Sequence, residues 1–326
     1  MVASVPALTF AIALLVAFGL DRVFGEPPAR WHPVVWMGRY LGWIGRRIAP
    51  REALATSHPT LRSAHWRAFA AGALAWSGGA LLVGLLALLL QSALLALPAA
   101  LAGLLLGALL KPMLAWRMLR GEVRAVESAL GQSLDAGRRR LAHLVSRAVT
   151  DLSEEQVRES AIESLAENFN DSVVAPVFWF VVAGLPGAAV YRFANTADAM
   201  WGYRGVRRGQ DWEWAGKWAA RADDLLSWIP ARITALLIAL VARGLPLSRL
   251  RGEAARTPSP NSGWPMAAMA LALDVRLRKP GVYALNQAGA APVPFDTARA
   301  IGIGSRALVL LLAGAGLALW ALEQPW

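Results

Sequence analysis

The sequence predicts an all-α polytopic membrane protein with about four full spans, additional re-entrant or buried short helices, and a cytoplasmic helical segment. Hydrophobic residues make up 56% of the 326 residues, and the mean hydropathy is +0.42. Charged residues make up only 17% of the chain, whereas about 25% is usual in soluble domains. Apolar runs long enough to cross a bilayer alternate with loops rich in arginine, which is the pattern of a multi-pass protein.

The charge of the chain is carried almost wholly by arginine. The net charge is +11, and the only lysines are Lys111, Lys217 and Lys279. Arginines placed between apolar runs are typical of cytoplasmic loops at an anionic leaflet, so membrane lipid is an expected partner. Nucleic acid is not an expected partner, because no basic patch interleaved with aromatic residues stands on a soluble segment. The chain has no cysteine, which excludes disulfides, thiolate metal sites and cysteine nucleophiles.

The first apolar run, Val5 to Leu20, is predicted to be a retained membrane span. It lacks the charged leading segment and the small-residue cleavage site of a cleaved signal peptide, and Asp21 and Arg22 are predicted to end it. A Gly-Glu-Pro-Pro turn and His32-Pro33 follow. That stretch is interpreted either as a helix stop beside an aromatic belt or as a functional motif, and both interpretations stay open.

Two strong spans are predicted next, Trp66 to Leu90 and Leu94 to Leu119, joined by a short link at Gln91 and Ser92. Each holds about 20 apolar residues, which is enough to cross the bilayer. The arginine-rich segment before them, up to Arg67, is predicted to be cytoplasmic. Because the first span enters the cytoplasm, this pair of spans is expected to leave the cytoplasm and return.

Residues 120 to 170 have a soluble, helical pattern. Ser153 with Gln156 three residues on forms a capping box, so a helix is predicted from Glu154 to Asn168. Glu163 and Glu167, near the end of this helix, lead directly into an apolar hairpin. An ionisable group placed inside the bilayer costs about 2.5 to 3.5 kcal/mol on insertion scales, so such acids are expected to face a cation or a ligand.

A short apolar hairpin follows this helix. Residues Val173 to Ala183 stop at Gly184-Leu185-Pro186-Gly187, and an arm of about a dozen apolar residues is typical of a re-entrant or buried segment. If the chain turns back at this corner, the polar side chains before and after it meet on one side. The set before the corner is Glu163, Glu167, Asn168, Asn170 and Asp171, and the set after it is Arg192, Asn195, Thr196, Asp198 and Arg204.

A second short apolar run begins at Arg232 and reaches Leu247, after Arg221, Asp223 and Asp224. It is predicted to be re-entrant too, or to be a tilted helix buried against its neighbours. The alternative of full spans would place the net basic loop between the two runs outside, against the positive-inside rule.

The C-terminal part is predicted to contain a polar loop and a last span. Residues 249 to 306 are rich in arginine, and within them Ser259 to Gly263 have the composition of a turn ahead of a helix of small residues. Ala307 to Leu322 form the last predicted span, which places Trp326 outside.

Several common site motifs are excluded. No G-x-x-x-x-G-K-[ST] phosphate loop, no G-x-G-x-x-G after a strand and no H-E-x-x-H zinc motif occurs. A histidine zinc site is not expected, because the histidines are scattered at His32, His58, His65 and His143. Carboxylates with amides suit Mg²⁺ that bridges phosphate oxygens, and arginines suit phosphates and carboxylates. The sequence therefore favours phosphate-dependent activation of an acid without a protein nucleophile.

Four long motifs stand in order along the chain: IESLAENFNDSVVAPVFW, GLPGAAVYRFANTADAMWGYR, ARADDLLSWIPARITAL and SPNSGWPMAAMA. D-x-x-x-G-E-P and H-P precede them, between Asp21 and Pro33. Together, over nearly the whole chain, they resemble the CobD/CbiB family of cobalamin biosynthesis, the adenosylcobinamide-phosphate synthases. The resemblance implies a multi-pass enzyme of the inner cell membrane with its site on the cytoplasmic side. Such an enzyme uses ATP and Mg²⁺ to join aminopropanol, or (R)-1-amino-2-propanol O-phosphate, to a propionate carboxylate of adenosylcobyric acid.

The resemblance also implies roles for the polar residues. Catalytic roles fall on Glu163, Glu167, Asp171 and Asp198, and metal ligation falls on Asp171, Asp198, Asp223 and Asp224. Substrate or phosphate binding falls on Asn168, Asn195, Arg204, Arg221, Arg232, Ser259 and Asn261. Where the family usually reads Gly-Arg-Asp-Thr, this chain has Ser146-Arg147-Ala148-Val149, and Ser172 replaces a usual glycine. The missing acid is interpreted as a supporting residue.

These residues predict a reaction in two steps. ATP phosphorylates the corrinoid carboxylate, and the amine then displaces phosphate while a carboxylate such as Glu163 accepts a proton. Phosphate charge is neutralised by Arg204, Arg221 and Arg232. The corrinoid is expected in a cleft lined by Trp179, Trp201 and Trp228, although these tryptophans are equally typical of an interfacial belt.

Two other classes of function stay open. A non-catalytic membrane sensor or regulator could share the fold, but it need not keep so many polar residues at membrane depth. A transporter would also use broken helices with polar tips, but it predicts inverted repeats, and no internal repeat is seen. One membrane-embedded domain is expected over residues 1–326, with N-terminal spans in 1–119, the motif-bearing region in 120–304 and a C-terminal span in 305–326. Other membrane enzymes of the cobalamin pathway are expected partners of a ligase.

Overall fold

The computed structural model describes residues 7–51, 62–243, 245 and 247–324, which fold into helices and two small hairpins. The first half contains α1 (Ala7–Phe24), α2 (Pro33–Ile48), α3 (Arg62–Leu95), α4 (Ala99–Leu110), α5 (Trp116–Leu130), α6 (Leu134–Leu141) and α7 (Glu154–Phe169). A π-helical turn, Asn170–Val174, leads into α8 (Ala175–Trp201), and the antiparallel strands β1 (Val206–Arg207) and β2 (Gln210–Asp211) follow. The rest contains α9 (Lys217–Leu226), α10 (Trp228–Val241), α11 (Leu247–Ala254), α12 (Gly263–Leu273), β3 (Leu277–Lys279), β4 (Tyr283–Leu285) and α13 (Pro294–Glu323). Val5, Trp326 and part of the predicted cytoplasmic segment before Arg67 lie outside the described residues.

The structure confirms an all-α polytopic membrane protein. By length and composition, five helical stretches are able to cross a membrane, or six if one bent pair of helices counts as a span. They are Ala7–Phe24, Ala64–Leu95, Ala99–Leu130, Glu154–Trp201 and Pro294–Glu323, and the bent pair is Lys217–Leu226 with Trp228–Val241. The fourth stretch contains the predicted hairpin, so the other four correspond to the predicted full spans.

The first span is longer than predicted. α1 continues through Asp21 and Arg22, so neither residue ends the helix. Asp21 is only 2% exposed, and one of its oxygens accepts a hydrogen bond from the backbone N–H of Arg117 at 2.8 Å. Its other oxygen lies 3.4 Å from Lys111 Nζ. The carboxylate is compatible with a buried helix because these partners compensate its charge.

The predicted link between the second and third spans is also displaced. α3 continues past Gln91 and Ser92, and the break comes at Pro98, which precedes α4. Gln91 stays helical, and its Oε1 accepts a hydrogen bond from the backbone N–H of Leu185 at 2.7 Å. The third span, predicted to be continuous, is interrupted by a 3₁₀ turn, Lys111–Met113, because a proline inside a helix removes a backbone hydrogen bond.

The predicted capping box of α7 is confirmed. Ser153 Oγ accepts a hydrogen bond from the backbone N–H of Gln156 at 3.3 Å, and Gln156 Oε1 accepts one from the backbone N–H of Ser153 at 2.9 Å. The helix is not the solvated one that its polarity indicated, since it packs against α5, α6, α12 and α13. Its Glu159 is fully buried and lies 2.9 Å from Arg278. Ion pairs of this kind allow a polar helix to lie in the interior.

The predicted hairpin is confirmed. Ala183 and Gly184 leave the helical conformation inside α8, and Gly184 has φ +65° and ψ −157°. Asp171 and Asn195 are 24 residues apart in sequence, which would separate them by about 36 Å along a straight helix. Their Oδ2 and Nδ2 atoms are instead 3.2 Å apart. The chain therefore folds back at the corner, and the two polar sets meet.

We expect Gly184→Ala to lower the free energy of unfolding by about 1 to 3 kcal/mol. Residues with a Cβ rarely adopt this backbone conformation, and a Cβ would clash with the Gln91 side chain. Gly78→Ala, on α3, is the control, because nothing lies within 4 Å of its Cβ position and alanine favours a helix. Thermal unfolding of the purified variants in detergent measures both effects. Equal midpoints for the two variants would contradict this account of the corner.

The C-terminal region is more regular than the predicted polar loop. Residues 249–306 contain the buried helix α12, the antiparallel hairpin β3–β4 and the start of α13. The last helix begins at Pro294 rather than at Ala307. Proline suits the first helical turn, and Asp296 Oδ2 accepts a hydrogen bond from the backbone N–H of Val293 at 2.9 Å. The second short run behaves as predicted for a buried helix, since α10 packs against α12 and α13 and is bent by 45° from α9.

Candidate active site

Three polar side chains from separate elements meet beside the folded-back hairpin. Nδ2 of Asn195, on the second arm of α8, lies 3.2 Å from Asp171 Oδ2 and 3.5 Å from Asp223 Oδ1. Asp171 belongs to the π-helical turn after α7, and Asp223 lies on α9. Asn170 Nδ2 donates a hydrogen bond to Asp171 Oδ1 at 2.8 Å. Turns of this kind are frequent at functional sites.

Arg192 supplies positive charge beside this group. Its Nη1 donates hydrogen bonds to the backbone oxygen of Asp171 at 3.1 Å and to Asn195 Oδ1 at 3.3 Å. Its Nε has no hydrogen-bond partner among the residues that the structure describes. The unused donor makes Arg192 suitable for binding an anionic oxygen of a phosphate or carboxylate.

Further carboxylates surround the centre. Asp198 lies close enough to Asp171 and Asp224 for their charges to interact. Glu167 lies within the same range of Asp171 and Asp198, and Lys279 on β3 is a cation within that range. Like charges placed together disfavour one another, so the group favours a bound cation or a cationic substrate.

Glu163 faces Arg147 and Tyr283. Arg147 Nη2 lies 3.3 Å from Glu163 Oε2 and donates a hydrogen bond to Ser160 Oγ at 2.6 Å. Burial, followed by the charges of Glu163 and Glu167, raises the pKa of the Tyr283 hydroxyl well above its usual value. Tyr283 therefore stays protonated at neutral pH. Arg147 is the residue that this chain retains from the usual Gly-Arg-Asp-Thr, and it contacts a predicted catalytic acid.

The late turn reaches the same region through Asn261. Its Nδ2 donates a hydrogen bond to the backbone oxygen of Asp224 at 2.7 Å, and its Oδ1 accepts one from Arg232 Nη1 at 2.7 Å. Ser259 Oγ accepts a hydrogen bond from the backbone N–H of Asn261 at 3.2 Å, which stabilises the turn. The Arg232 guanidinium stacks 4.9 Å from the centre of the Trp264 ring. The structure thus brings three predicted binding residues next to a predicted metal ligand.

Three predicted binding residues stand apart from the centre. Arg221 is exposed, with Nη1 at 4.0 Å from Asp224 Oδ2. Arg204 is exposed in the turn before β1. Asn168 Nδ2 donates a hydrogen bond to the carbonyl oxygen of Ser164, on its own helix, at 2.9 Å. Their roles in substrate or phosphate binding remain predictions.

One tryptophan of the predicted cleft packs differently from the other two. Trp201 is 1% exposed and stacks on Trp212 with ring centres 5.9 Å apart. Trp179 Nε1 donates a hydrogen bond to the backbone oxygen of Leu226 at 3.0 Å, and the exposed Trp228 begins α10. Trp179 and Trp228 therefore lie together at the bend between α9 and α10, whereas Trp201 lies elsewhere.

Several residues at the site had no predicted role. Lys279 and Tyr283 belong to the β3–β4 hairpin, which lies outside every motif, so no local signal pointed to them. Arg192 was predicted to meet the first polar set as a member of the second one, but no specific role was predicted for it. Arg147 drew attention only as part of a departure from the usual motif.

A buried ionic cluster assembles residues of the N-terminal motif. Lys111 Nζ lies 2.9 Å from Glu26 Oε2 and 3.4 Å from Asp21 Oδ1, and His32 Nε2 lies 3.0 Å from Glu26 Oε2. Burial opposes ionisation of Glu26, but the hydrogen bonds and charges of His32 and Lys111 outweigh it and lower the pKa of Glu26 below its ordinary value. Glu26 also lies close enough to Arg192 for their charges to interact. The Gly-Glu-Pro-Pro turn, whose interpretation the sequence left open, therefore lies beside the folded-back hairpin of α8.

Asp171 and Asp223 offer a donor set that suits Mg²⁺. Within the described ranges, no group of three or more His, Asp or Glu side chains is arranged to hold a metal ion by itself. Mg²⁺ usually takes one or two carboxylates together with substrate phosphates and waters. The two carboxylates beside Asn195 meet that requirement. Ligation by Asp198 and Asp224 remains a prediction.

Comparison with known proteins identifies the family. The sequence model of CobD/CbiB proteins matches residues 14–310. The chain belongs to the CobD/CbiB family. The probable cobalamin biosynthesis protein CobD of Methanothermobacter thermautotrophicus is 40% identical, over 84% of this chain and 86% of that protein. The cobalamin biosynthesis protein CobD of Rhodobacter capsulatus is 37% identical, over 97% of this chain and 100% of that protein. No solved structure matches the chain.

Membership of the CobD/CbiB family confirms the resemblance in the motifs and gives the chain a role in cobalamin biosynthesis. The matched range, 14–310, includes the N-terminal ionic cluster, both short apolar runs, the late turn and the β3–β4 hairpin. Every element of the site described above is therefore part of the CobD/CbiB portion of the chain.

Proposed function

We propose that this CobD/CbiB chain is a membrane-bound, ATP-dependent amide ligase. It joins (R)-1-amino-2-propanol O-phosphate, or aminopropanol, to a propionate carboxylate of adenosylcobyric acid, and the phosphate ester gives adenosylcobinamide phosphate. The observation that supports this most is the meeting of Asp171, Asn195 and Asp223, at 3.2 and 3.5 Å, across the folded-back hairpin. The family's role in cobalamin biosynthesis supports a corrinoid as the acid substrate.

The chemistry requires activation of the acid. Direct condensation is slow, because a carboxylate is a poor electrophile and the amine is mostly protonated at neutral pH. In the proposed reaction an oxygen of the corrinoid carboxylate attacks the terminal phosphorus of ATP, and the remaining nucleotide leaves. The amine nitrogen then attacks the acyl carbon and inorganic phosphate leaves, while the amine gives up its proton to a base. Holding the two reactants in contact lowers the activation free energy by several kcal/mol.

Two parts of the site would neutralise the negative charge of the transferred phosphoryl group and of the amine substrate's phosphate. Mg²⁺ held by Asp171 and Asp223 would neutralise charge on the transferred phosphoryl group. Arg192, with an unused Nε donor among the described residues, would bind an oxygen of the same group. Arg232, beside Asn261, would bind the phosphate of the amine substrate.

Glu163 is the proposed base for the amine proton. Its Oε2 lies 3.3 Å from Arg147 Nη2, and its Oε1 has no hydrogen-bond partner within the described part of the chain. One oxygen is thus held in place while the other is available to accept a proton. Tyr283, which stays protonated, supports the carboxylate from β4. Glu167 adds negative charge that attracts the ammonium form of the amine.

The arginine-rich loops favour a site on the cytoplasmic side of the inner cell membrane. Trp179 and Trp228, at the bend between α9 and α10, offer apolar surface for the bulky corrinoid at the membrane interface. Because the product is as large and amphipathic as the substrate, other membrane enzymes of the cobalamin pathway are proposed partners that receive it.

Membranes that contain the protein are expected to form the amide from adenosylcobyric acid, aminopropanol phosphate, ATP and Mg²⁺. Chromatography of the corrinoids measures the product, and membranes without the protein are the control. Parallel reactions without ATP, and with the free alcohol in place of the phosphate, test the energy source and the amine. Uptake of unchanged corrinoid without product would favour a transporter. The absence of both product and uptake would favour a sensor. Either of these two outcomes would reject the ligase.

A further inference from the structure

A cavity outside the candidate active site lies between α2, the end of α8 and the β1–β2 hairpin. Its volume is about 430 Å³, which falls in the range of about 300 to 1,000 Å³ that is usual for ligand pockets. Its wall includes residues 199–201, which directly follow Asp198 on α8. The cavity therefore begins within about one helical turn of a carboxylate of the candidate active site.

The charges that line this cavity are all positive. Arg46, Arg207 and Arg208 line it, and no Asp or Glu is among the described residues of its wall. Burial, followed by the charge of Arg208, lowers the pKa of Arg207, so these two guanidinium groups are close enough to repel each other. Arginines gathered without acids favour an anion, and the guanidinium fork binds phosphate oxygens in pairs.

The backbone places Arg208 in an unusual position. Arg208 and Gly209 form the two-residue turn between β1 and β2, with φ values of +51° and +74°. Turns of this kind favour Asn followed by Gly, because residues with longer side chains rarely adopt the left-handed conformation. Arg208 therefore adopts a backbone conformation that costs free energy for a residue with a Cβ. Its neighbour Arg207 stacks 3.5 Å from the centre of the Tyr203 ring, which holds that guanidinium in place.

From these observations we propose that the cavity binds the phosphate chain of a nucleoside triphosphate and directs the terminal phosphate towards Asp198. This assignment rests on the ATP-dependent reaction proposed above. The headgroup of an anionic lipid has the same phosphate chemistry, and α2 exposes Trp36 and Trp43 in the manner of an interfacial helix. The experiment therefore has to separate a nucleotide from a lipid.

The test uses the full chain in nanodiscs of zwitterionic lipid, with amide formation and binding of a fluorescent ATP analogue as readouts. The double variant Arg207→Gln/Arg208→Gln is expected to raise the KM for ATP and the Kd of the analogue about tenfold or more, with the KM for the corrinoid unchanged. Arg39→Gln, an exposed arginine of α2 outside the cavity wall, removes charge from the same helix and should change neither constant.

A second pair of variants tests the volume without removing charge. A Cβ at Gly42 would lie 3.6 Å from Met200 Cε and 3.8 Å from Arg46 Nη1, which is ordinary contact, so Gly42→Val should fold while filling the cavity. Gly38→Val, one turn earlier and outside the wall, is the matched control. Gly42→Val is expected to weaken ATP analogue binding about tenfold or more, as the arginine variants do, and Gly38→Val is expected to leave it unchanged.

The outcomes distinguish this assignment from the proposed function. If the wild type makes the amide with ATP and the cavity variants keep its KM for ATP, the nucleotide assignment is overturned and the ligase stands. If the variants lose only a stimulation by added anionic lipid, the cavity binds a lipid headgroup and the assignment is overturned as well. If the wild type neither binds nor uses ATP, both the nucleotide assignment of the cavity and the proposed function are rejected.

Discussion

Asp171→Asn is expected to lower the rate of amide formation by about 10²- to 10³-fold. Asp171 lies at the centre of the candidate site, with Oδ2 at 3.2 Å from Asn195 Nδ2 and Oδ1 at 2.8 Å from Asn170 Nδ2. The substitution removes the charge of one of the two carboxylates proposed to hold Mg²⁺ against the phosphate oxygens. Initial rates at saturating ATP and corrinoid measure the loss, and Asp198→Asn is expected to act in the same direction.

The same substitution also disturbs hydrogen bonds, and a paired variant separates the two effects. An amide at position 171 keeps one oxygen, so its NH2 group would face the N–H donor of one of the two neighbours, Asn170 or Asn195. Asp171→Asn/Asn195→Asp exchanges donor and acceptor between these two positions, so part of the thermal stability should recover while the rate stays low. Recovery is expected to be partial because the carboxylate at position 195 then faces Asp223. Asp135→Asn removes an acid whose side chain is 74% exposed, and it should change neither quantity. A normal rate of amide formation in Asp171→Asn, or full recovery of that rate in the paired variant, would show that charge at position 171 is dispensable.

The spans were predictable because they follow from composition alone, but three of their ends were not. Asp21, Gln91 and Pro294 lie where local rules gave the wrong boundary, and each is explained by a partner or a cap. Asp21 is compensated by Lys111, and Gln91 accepts a hydrogen bond from Leu185. A polar residue inside an apolar run ends a helix only when nothing else satisfies it. The sequence does not reveal such a partner 90 or so residues away.

The candidate site was predictable to the extent that it depends on the hairpin corner. Gly184 and the shortness of the arms indicated that the chain turns back, and this was enough to bring Asp171 to Asn195. The residues that support Glu163 were not predictable. Tyr283 comes from a strand outside every motif, and Arg147 comes from a segment without regular structure. Their approach depends on how α7 packs, which no local pattern encodes.

Lys111→Met is expected to lower the free energy of unfolding by about 3 to 5 kcal/mol, although methionine has a similar shape. Lys111 Nζ lies 2.9 Å from Glu26 and 3.4 Å from Asp21. Without the ammonium group, Asp21, which is 2% exposed, keeps a buried charge with too little compensation. Thermal unfolding in detergent, followed by helical circular dichroism, measures the loss.

A control and a rescue show whether charge is the cause. Lys217→Met removes an ammonium group that stacks on Trp214 at 3.9 Å, and it should cost at most about 1 kcal/mol. Adding Asp21→Asn to Lys111→Met removes the uncompensated charge and should restore most of the stability. If the double variant is no more stable than Lys111→Met alone, packing rather than charge explains the loss.

The pH dependence of stability tests the same cluster independently. Because the pKa of Glu26 lies below its ordinary value of 4.5, ionised Glu26 stabilises the fold above that ordinary value, and this contribution is lost as the pH falls through the lowered pKa. In Lys111→Met only His32 still opposes the effect of burial, so the pKa of Glu26 should rise. The variant should therefore lose less stability than the wild type as the pH falls below the ordinary pKa of a glutamate, because its folded and unfolded states then bind protons over a more similar pH range. Parallel stability curves for the two proteins between pH 3 and pH 7, about the range over which carboxylates titrate, would mean that Lys111 does not control the ionisation of Glu26.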